Sequence, residues 1–277
     1  MDLRAVAKVA INTPLSKVGF QIVRYARQGA PGSPGNRLPR DFTEEDIKVW
    51  AAVRPYTMTS PERIYSLCRC VEYLVANSIP GDFVECGVWK GGSSMAIALT
   101  LAALGDTTRH LYLYDTFEEG WPESSEEDVT FDGITPQELY RDALERGETP
   151  ETFLANVEDV REALLSTGYP DNHLHLIKGK VEDTVPGQAP EKVALLRLDT
   201  DWYVSTRHEL LHLYPRLSTS GVLMIDDYGL FKGARKATDT YFKEHNVPML
   251  LHRVDDSGYR VGIKPRDAAG PTPAESP

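Results

Sequence analysis

Four aspartates of the sequence stand in two short clusters, and each cluster directly follows an apolar run. Asp199 and Asp201 follow one run, and Asp226 and Asp227 follow the other. Carboxylates that are brought together repel one another, so their pKa values rise unless a cation lies among them. Oxygen ligands with no cysteine or histidine nearby favour Mg²⁺ or a similar hard ion. Aspartates that only cap the following helices are the alternative, but two such clusters together favour a metal site.

A cation at that position would activate an alcohol. An alcohol is a poor nucleophile because its proton is held tightly, and a bound cation lowers the pKa and orients the oxygen. A carboxylate such as Asp199 can then accept the proton as a general base. The oxygen would attack a group held in line, with little required of the protein beyond positioning. Two vicinal hydroxyls that chelate the metal would explain selection for sugars or catechols.

The turn 85–94 is the first candidate cofactor site, because it combines glycines, serines and the expected start of a helix. Glycines let the backbone approach a ligand closely, and serines with a helix N-terminus offer donors to a carboxylate. A dinucleotide-binding turn needs a second glycine where Trp89 stands. A nucleotide-phosphate loop needs a lysine where Ser93 stands. The turn therefore fits neither of these two nucleotide-binding patterns.

The third pattern is the acidic-x-Gly-x-x-x-Gly turn of S-adenosylmethionine (SAM) enzymes, which Glu85, Gly87 and Gly91 fulfil. In this interpretation Glu85 or the neighbouring backbone binds the α-amino group of the methionine part. Gly91, Ser93 and Ser94 would then bind its carboxylate. One glycine turn is weak support alone, but the failure of both rivals favours SAM.

The end of the second apolar run is the other half of the predicted cofactor site. Asp115 is followed by Thr116 and Phe117. An acidic residue there can accept two hydrogen bonds from ribose hydroxyls, and a nearby aromatic ring can stack on adenine. The alternative is that Asp115 only caps the following loop. Together with the glycine turn, the three residues favour a nucleoside ligand.

The elements that must position these residues are seven short apolar runs, most of them separated by helix-length intervals. The runs are Phe83–Cys86, Leu111–Asp115, Leu174–Lys178, Val193–Asp199, Val222–Asp226, Met249–His252 and Tyr259–Ile263. This alternation predicts a largely parallel sheet with helices on both faces. The link 253–258 is too short for a parallel crossover, so the last two runs should form an antiparallel hairpin. We therefore predict an α/β fold of the class I SAM methyltransferase (Rossmann-like) type, with a seven-stranded, mostly parallel sheet and an antiparallel last strand.

Two helix starts can be predicted from the sequence. Thr59 and Glu62 have the spacing of a capping box, with Pro61 near the first turn of the helix. A second helix should begin within 92–94, directly after the first strand.

Composition and charge exclude several classes of protein. The 277 residues carry a formal charge of −11, so nucleic acid and anionic lipid are poor partners. No apolar run approaches the ~20 residues of a membrane span, and the N-terminus does not have the pattern of a signal peptide. The three cysteines, Cys68, Cys70 and Cys86, have no metal-type spacing. Reduced thiols in a cytoplasmic protein are the simplest interpretation.

The chain divides into three parts by composition. Residues 1–54 form an N-terminal helical segment, in which 29–39 is a Gly/Pro-rich linker. The basic amphipathic pattern before that linker favours packing on the body or on a partner subunit over membrane attachment. Residues 55–263 form the main domain, and 264–277 form a disordered tail.

Three further features have open interpretations. The acidic stretch after Phe117 is interpreted as a solvated loop, with a mobile lid that places Trp121 against a sugar as the alternative. His208 and His212 share a helix face, but we expect packing or surface positions rather than a zinc site. Cys86, inside the glycine turn, is expected to be a small packed residue.

Several segments of the chain, in the right order, resemble the macrocin-type sugar O-methyltransferase family of antibiotic biosynthesis, which includes enzymes for mycinamicin and novobiocin sugars. The resemblance covers most of residues 55–263. Its motifs lie in residues 56–63, 79–92, 114–118, 178–184, 198–203 and 225–229.

The resemblance implies roles for individual residues. Asp199, Asp226 and Asp227 resemble the family's Mg²⁺ ligands, and Asp199 is also the expected base. The implied SAM contacts are Thr57, Met58, the turn 85–94, Asp115, Gly179 and Lys180. The family is usually dimeric or higher, so a homodimer or larger homo-oligomer is expected, with the N-terminal segment contributing to a lid over the sugar.

These patterns together predict a Mg²⁺-dependent O-methyltransferase that moves a methyl group from SAM to a hydroxyl of a sugar or glycoside. Two alternatives remain open at this point. One is a catechol- or phenol-type O-methyltransferase with the same metal and donor. The other is a non-catalytic nucleoside- or sugar-binding module, against which the retention of all three metal-type aspartates argues.

Overall fold

The computed structural model describes residues 38–120 and 123–266. Within these residues the helices are α1 (Glu44–Val53), α2 (Pro61–Ala76), α3 (Gly92–Ala103), α4 (Pro136–Glu145), α5 (Val157–Leu165), α6 (Val181–Thr184), α7 (Tyr203–His212) and α8 (Lys232–Glu244). The strands are β1 (Asp82–Cys86), β2 (Leu111–Asp115), β3 (Leu174–Lys178), β4 (Val193–Leu198), β5 (Leu217–Ile225), β6 (His252–Arg253) and β7 (Arg260–Ile263).

The seven strands form one sheet in the order β3-β2-β1-β4-β5-β7-β6. Strands β1 to β5 pair in parallel, β7 is antiparallel to β5, and β6 is antiparallel to β7. The predicted fold class is therefore confirmed. In this order the carboxyl ends of β1, β2, β4 and β5 meet at one edge of the sheet, which is where an open α/β sheet binds ligands.

The central strand β4 explains why the apolar runs are continuous rather than alternating. All six of its residues are buried, because helices cover both faces of a parallel sheet. The predicted hairpin between β6 and β7 is also present. Its turn is held by Asp255, whose Oδ1 accepts hydrogen bonds from the backbone N–H groups of Gly258 (3.0 Å) and Tyr259 (3.2 Å).

The two predicted helix starts have different outcomes. Helix α3 begins at Gly92, as expected, after Gly91 in the left-handed conformation (φ 85°). For α2 the predicted cap was wrong by one residue. Ser60 occupies the N-cap and accepts a hydrogen bond from the Arg63 N–H at 3.3 Å, because Pro61 fixes the first helical position.

The body of the chain begins earlier than residue 55. The described residues from Pro39 onward belong to one compact unit, and α1 within it buries Trp50 and Val53. At the other end, the backbone N–H of Lys264 donates to the Gly221 carbonyl at 2.8 Å, so the chain is still bound to the sheet there.

Some predictions fall outside the described residues. These are the N-terminal lid segment before Leu38, the position of Trp121, and the tail after residue 266. Within the described residues, each helix is too short or too polar to cross a membrane.

Candidate active site

A cavity of about 410 Å³ lies at the carboxyl ends of the strands. It brings together most of the predicted site residues. Those in its lining are Thr57, Met58, Glu85, Gly87, Ser93, Asp115, Thr116, Phe117, Gly179, Lys180, Asp199, Asp226 and Asp227. The other two, Gly91 and Ser94, lie behind the lining. Gly91 is the N-cap of α3, and the Ser94 hydroxyl donates to Glu85 inside the protein.

The glycine turn requires glycine for steric reasons at two positions. Gly87 has φ 84°, and a Cβ there would lie 1.9 Å from the Asp199 carbonyl oxygen. A Cβ on Gly92 would lie 2.6 Å from the Thr57 Cβ. The turn is therefore packed directly against the segment that carries Asp199 and against the chain before α2.

Asp115 holds the glycine turn in place. Its Oδ2 accepts hydrogen bonds from the N–H groups of Val88 (2.6 Å) and Trp89 (2.8 Å), and its Oδ1 accepts one from Phe117 (2.6 Å). Asp115 thus caps the following loop, as the alternative interpretation predicts, and it also binds the glycine turn. A carboxylate offers about four acceptor positions, so three backbone bonds leave capacity for a ribose hydroxyl. The ribose contact stays a prediction.

Glu85 is fully buried, and both of its oxygens have partners within the protein. Oε1 accepts from Arg197 Nη1 at 2.7 Å, and Oε2 accepts from the Ser94 hydroxyl. Burial raises the pKa of Glu85, while the positive charge of Arg197 lowers it. Because both oxygens are used internally, the neighbouring backbone is the better candidate for the predicted amino-group contact.

The three aspartates of the predicted metal site converge. Asp199, Asp226 and Asp227 each offer one carboxylate oxygen, and these oxygens lie within 4.8 Å of one another. Burial raises the pKa of Asp199 well above its ordinary value, and Asp226 and Asp227 raise it further against the opposing charge of Arg197. Asp227 Oδ2 is buried and has no hydrogen-bond partner among the described residues. The three carboxylates therefore have too little positive charge and too few hydrogen-bond donors around them.

The fourth aspartate, Asp201, has a different position. It has the left-handed φ of 66°, and it lines the same cavity. Burial raises the pKa of Asp201 well above its ordinary value, and the charge of Asp199 raises it further.

Two arginines that the sequence analysis gave no role complete the cluster. Arg197 is buried on β4. Its Nη1 donates to Asp199 Oδ2 at 2.7 Å, and its Nη2 donates to Asp226 Oδ1 at 2.6 Å. Arg63 of α2 forms an ion pair with the other oxygen of Asp226, and its Nε donates to Asp255 Oδ2 at 2.6 Å. An arginine inside an apolar strand indicates a buried ion pair from the sequence alone, because arginine is seldom buried without a partner.

A buried carboxyl group lies behind the aspartates. Glu209 of α7 is fully buried; its Oε1 accepts a hydrogen bond from the Thr200 hydroxyl at 2.9 Å. Its other oxygen, Oε2, has no hydrogen-bond partner among the described residues. Burial raises the pKa of Glu209 to about 8. Glu209 thus supports the loop that follows β4.

The histidine and cysteine positions agree with the expected packing roles. The His208 ring lies 2.9 Å from the Val185 carbonyl oxygen and packs on His212 with ring centroids 4.4 Å apart. Cys86 is fully buried, and burial raises the pKa of its thiol, so it is a packed residue rather than a nucleophile.

Comparison with known proteins gives a consistent set of relatives. The model of the macrocin-O-methyltransferase (TylF) family matches residues 43–260. The chain is 32% identical over 237 residues to 8-demethyl-8-(2,3-dimethoxy-alpha-L-rhamnosyl)-tetracenomycin-C 4'-O-methyltransferase of Streptomyces olivaceus, covering 86% of this chain and 83% of that one. It is 31% identical over 203 residues to mycinamicin III 3''-O-methyltransferase of Micromonospora griseorubida, covering 73% and 76%. The solved structure of the O-methyltransferase NovP superposes with a TM-score of 0.64 at 29% identity, covering 76% of this chain and 83% of that one.

Proposed function

The chain belongs to the macrocin O-methyltransferase family, and from that premise we propose that it methylates a sugar hydroxyl in antibiotic biosynthesis, with SAM as donor and Mg²⁺ as the metal. The observation that carries the proposal is the convergence of Asp199, Asp226 and Asp227 in the cavity that also contains the glycine turn. Two of the relatives support this kind of acceptor, since one is a 4'-O-methyltransferase of a rhamnosyl tetracenomycin C and the other is a mycinamicin III 3''-O-methyltransferase.

The carboxylate cluster fits a hard divalent cation. Asp199, Asp226 and Asp227 would hold it, because their oxygens already lie within 4.8 Å of one another and oxygen donors suit Mg²⁺. The unpartnered, buried Asp227 Oδ2 supports the assignment. When bound, the ion would supply a positive charge that lowers the pKa of a coordinated hydroxyl.

The part of the cavity lined by the glycine turn fits SAM. Gly87 and Gly92 leave no room for a Cβ, so the turn is fixed against the segments of Asp199 and Thr57, and Asp115 fixes its shape. The volume of about 410 Å³ lies in the usual range for small-molecule sites. When bound, SAM would supply an electrophilic methyl group on a sulfonium that leaves as a neutral thioether.

The work of the protein's own residues is then positioning and proton transfer. Asp199 accepts the proton that the acceptor hydroxyl loses. Arg197 holds Asp199 Oδ2 at 2.7 Å, which fixes the plane of that carboxylate at the cavity floor. Arg197 and Arg63 together bind both oxygens of Asp226, so the second ligand is also held before the acceptor arrives.

The test is a methyl-transfer assay on the full chain with labelled SAM, after chelation and with Mg²⁺ added back. A panel of glycosides and catechols serves as acceptors. We expect transfer to glycosides only with Mg²⁺, and we expect Asp199→Asn to abolish turnover while calorimetry still detects SAM binding. Asp256→Asn, an exposed aspartate of the β6–β7 hairpin, is the matched control and should keep full activity.

Each contrary result identifies a different error. Full activity of Asp199→Asn would remove that residue as the base. Transfer to catechols alone would indicate the phenol-type enzyme. No transfer under any Mg²⁺ condition, with SAM still bound, would indicate a binding module.

A further inference from the structure

The acidic stretch 123–132 exposes Glu123, Glu126 and Asp132 to solvent, as expected, but one of its aspartates is fully buried. Asp128 has 1% of its surface exposed. Its Oδ2 accepts hydrogen bonds from the N–H and the hydroxyl of Ser125, both at 2.7 Å. Its Oδ1 accepts a hydrogen bond from the N–H of Tyr203 at 2.7 Å, across 75 positions of sequence.

That last bond supplies a cap which the local sequence of α7 lacks. The first N–H groups of a helix have no partner within the helix. The N-cap residue of α7 is Trp202, which makes no side-chain cap, because an indole offers no acceptor. The carboxylate of Asp128 takes this place, and a negative charge at a helix N-terminus is favourable. Asp128 thereby fixes the start of α7, directly after the loop 199–202.

Three further contacts bind the same stretch to the start of α8. The Lys232 N–H donates to the Val129 carbonyl at 2.9 Å, Thr130 forms a β-bridge with Phe231, and Lys236 pairs with Glu127 at 2.8 Å.

Gly233 leaves the room that the buried carboxylate of Asp128 occupies. A Cβ on Gly233 would lie 2.0 Å from Asp128 Oδ1. Any larger residue at position 233 would therefore displace the Asp128 side chain. The acidic stretch is docked at one defined place, between the starts of α7 and α8.

The docked stretch leads into a wall of the cavity. Leu139 of α4 packs against the buried cluster of Trp202, Phe231 and Ala234. Leu139, Phe231 and Leu230 line the cavity. Trp202 comes three residues after Asp199, and Phe231 comes four residues after Asp227. This apolar wall is therefore built on the two segments that carry the proposed metal ligands.

We propose that Asp128 is a positioning residue that fixes the apolar wall of Leu139, Leu230 and Phe231 and thereby selects acceptors with an apolar face beside the reacting hydroxyl. This assignment rests on the proposed function. It names the residue that enforces a preference for a deoxy sugar, or for a sugar joined to an apolar aglycone, over a fully hydroxylated sugar. Asp128 itself touches neither reacting atom.

The experiment compares Asp128→Ala, Asp128→Asn and Gly233→Ala with Asp132→Asn, an exposed aspartate of the same stretch. For each folded variant, KM and kcat are measured for a deoxy glycoside and for its fully hydroxylated counterpart, and calorimetry gives the SAM affinity. We expect Asp128→Ala and Gly233→Ala to raise KM for the deoxy glycoside about tenfold and to lower its preference over the hydroxylated one. Asp128→Asn keeps an oxygen acceptor for the Tyr203 N–H. Its KM and its acceptor preference should therefore lie between those of Asp128→Ala and those of the wild type. SAM affinity and Asp132→Asn should be unchanged.

A loss of stability alone would not change the ratio between two acceptors, so that ratio is the decisive readout. Unchanged acceptor preference in folded Asp128→Ala, or a parallel loss of SAM affinity, would overturn the assignment. If the wild type transfers no methyl group to any acceptor, the proposed function fails instead. Hydrogen exchange at the Tyr203 amide, which should quicken in Asp128→Ala, then decides separately whether Asp128 holds this wall.

Discussion

Arg197 Nη1 lies 2.7 Å from Asp199 Oδ2, and both residues line the cavity. The same guanidinium donates to Glu85 at 2.7 Å and to Asp226 at 2.6 Å, so it joins the ends of β1, β4 and β5. The positive charge of Arg197 offsets part of the negative charge of these three carboxylates, which burial would otherwise make more costly. The positions of the proposed base and of one proposed ligand thus depend on a single side chain.

Replacing Arg197 by methionine should destabilise the protein and impair metal binding together. Removing one partner of a buried ion pair costs about 3–5 kcal/mol, because the remaining charges are left uncompensated. We expect Arg197→Lys, which keeps the charge but cannot bridge three carboxylates, to fold with a lower kcat. Calorimetry would follow Tm and Mg²⁺ binding, with Arg54→Met as an exposed control. A stable Arg197→Met variant with normal Mg²⁺ affinity would refute this role.

Gly87→Ala should abolish activity through a backbone clash. The new Cβ would lie 1.9 Å from the Asp199 carbonyl oxygen, at φ 84°. Gly105→Ala is the matched control, since Gly105 also has a positive φ (75°) but no atom within 4 Å of the added Cβ. The control should lose only the backbone term of about 1–2 kcal/mol and keep its activity. Equal losses of activity in the two variants would show that the positive φ, and not the contact with Asp199, is the reason for glycine at position 87.

The strands were predictable because their apolar runs are long and continuous. The predicted bounds of β2 and β3 agree with the structure, since both ends of each run are marked by a change to polar residues. Strand β5 starts at Leu217, five residues before the predicted run, because polar residues 218–220 continue the strand. Strand β6 is reduced to His252 and Arg253, because β7 offers pairing partners only to these two residues.

The site was predictable only where its residues follow a strand in sequence. Asp199 and Asp226 could be found this way, whereas the role of Arg197 depends on strand order and register. Arg197 lies directly opposite Glu85 on the neighbouring strand, and no local pattern contains that pairing. The cap from Asp128 to Tyr203 spans 75 positions and is likewise invisible without the fold.

Glu209→Gln should stabilise the protein at neutral and mildly alkaline pH. The pKa of Glu209 is raised from 4.5 to about 8 by burial, so the folded state favours the protonated form. Its contribution to stability is complete below the unfolded pKa and is lost as pH rises through the folded pKa. Glutamine stays neutral and keeps an oxygen for the Thr200 hydroxyl. One pKa unit corresponds to about 1.4 kcal/mol, so we expect a gain on the order of a few kcal/mol at pH 8.

Urea unfolding of Glu209→Gln between pH 5 and pH 8.5, with and without Mg²⁺, measures this gain. The exposed Glu191→Gln serves as the control, and its curve should follow that of the wild type. A Glu209→Gln variant less stable than the wild type at pH 8 would show that Glu209 is needed in its charged form.

A pair of histidines at the amino-terminal ends of the paired strands β2 and β3 should make stability fall in mild acid. His110 Nδ1 and His175 Nε2 lie 2.7 Å apart, so one nitrogen must act as acceptor and the pair cannot be fully protonated. Burial, and then the charge of His110, lowers the pKa of His175 below 6.5. For a histidine with a lowered folded pKa, the unfolded state binds more protons as pH drops through 6.5, so stability decreases from there towards the folded pKa.

His175→Gln should flatten that decrease, because an amide does not titrate and can still accept from His110. Both histidines are only half-buried, so solvent screening reduces the effect to a fraction of the ~1.4 kcal/mol that one pKa unit represents. Free energies of unfolding at pH 7.5 and at pH 5.5 are therefore compared between the wild type, His175→Gln and the exposed His252→Gln. The other acid-sensitive groups, the aspartate cluster included, are common to all three proteins and cancel in the difference. If His175→Gln loses as much stability between the two pH values as His252→Gln does, the histidine pair does not contribute to acid sensitivity.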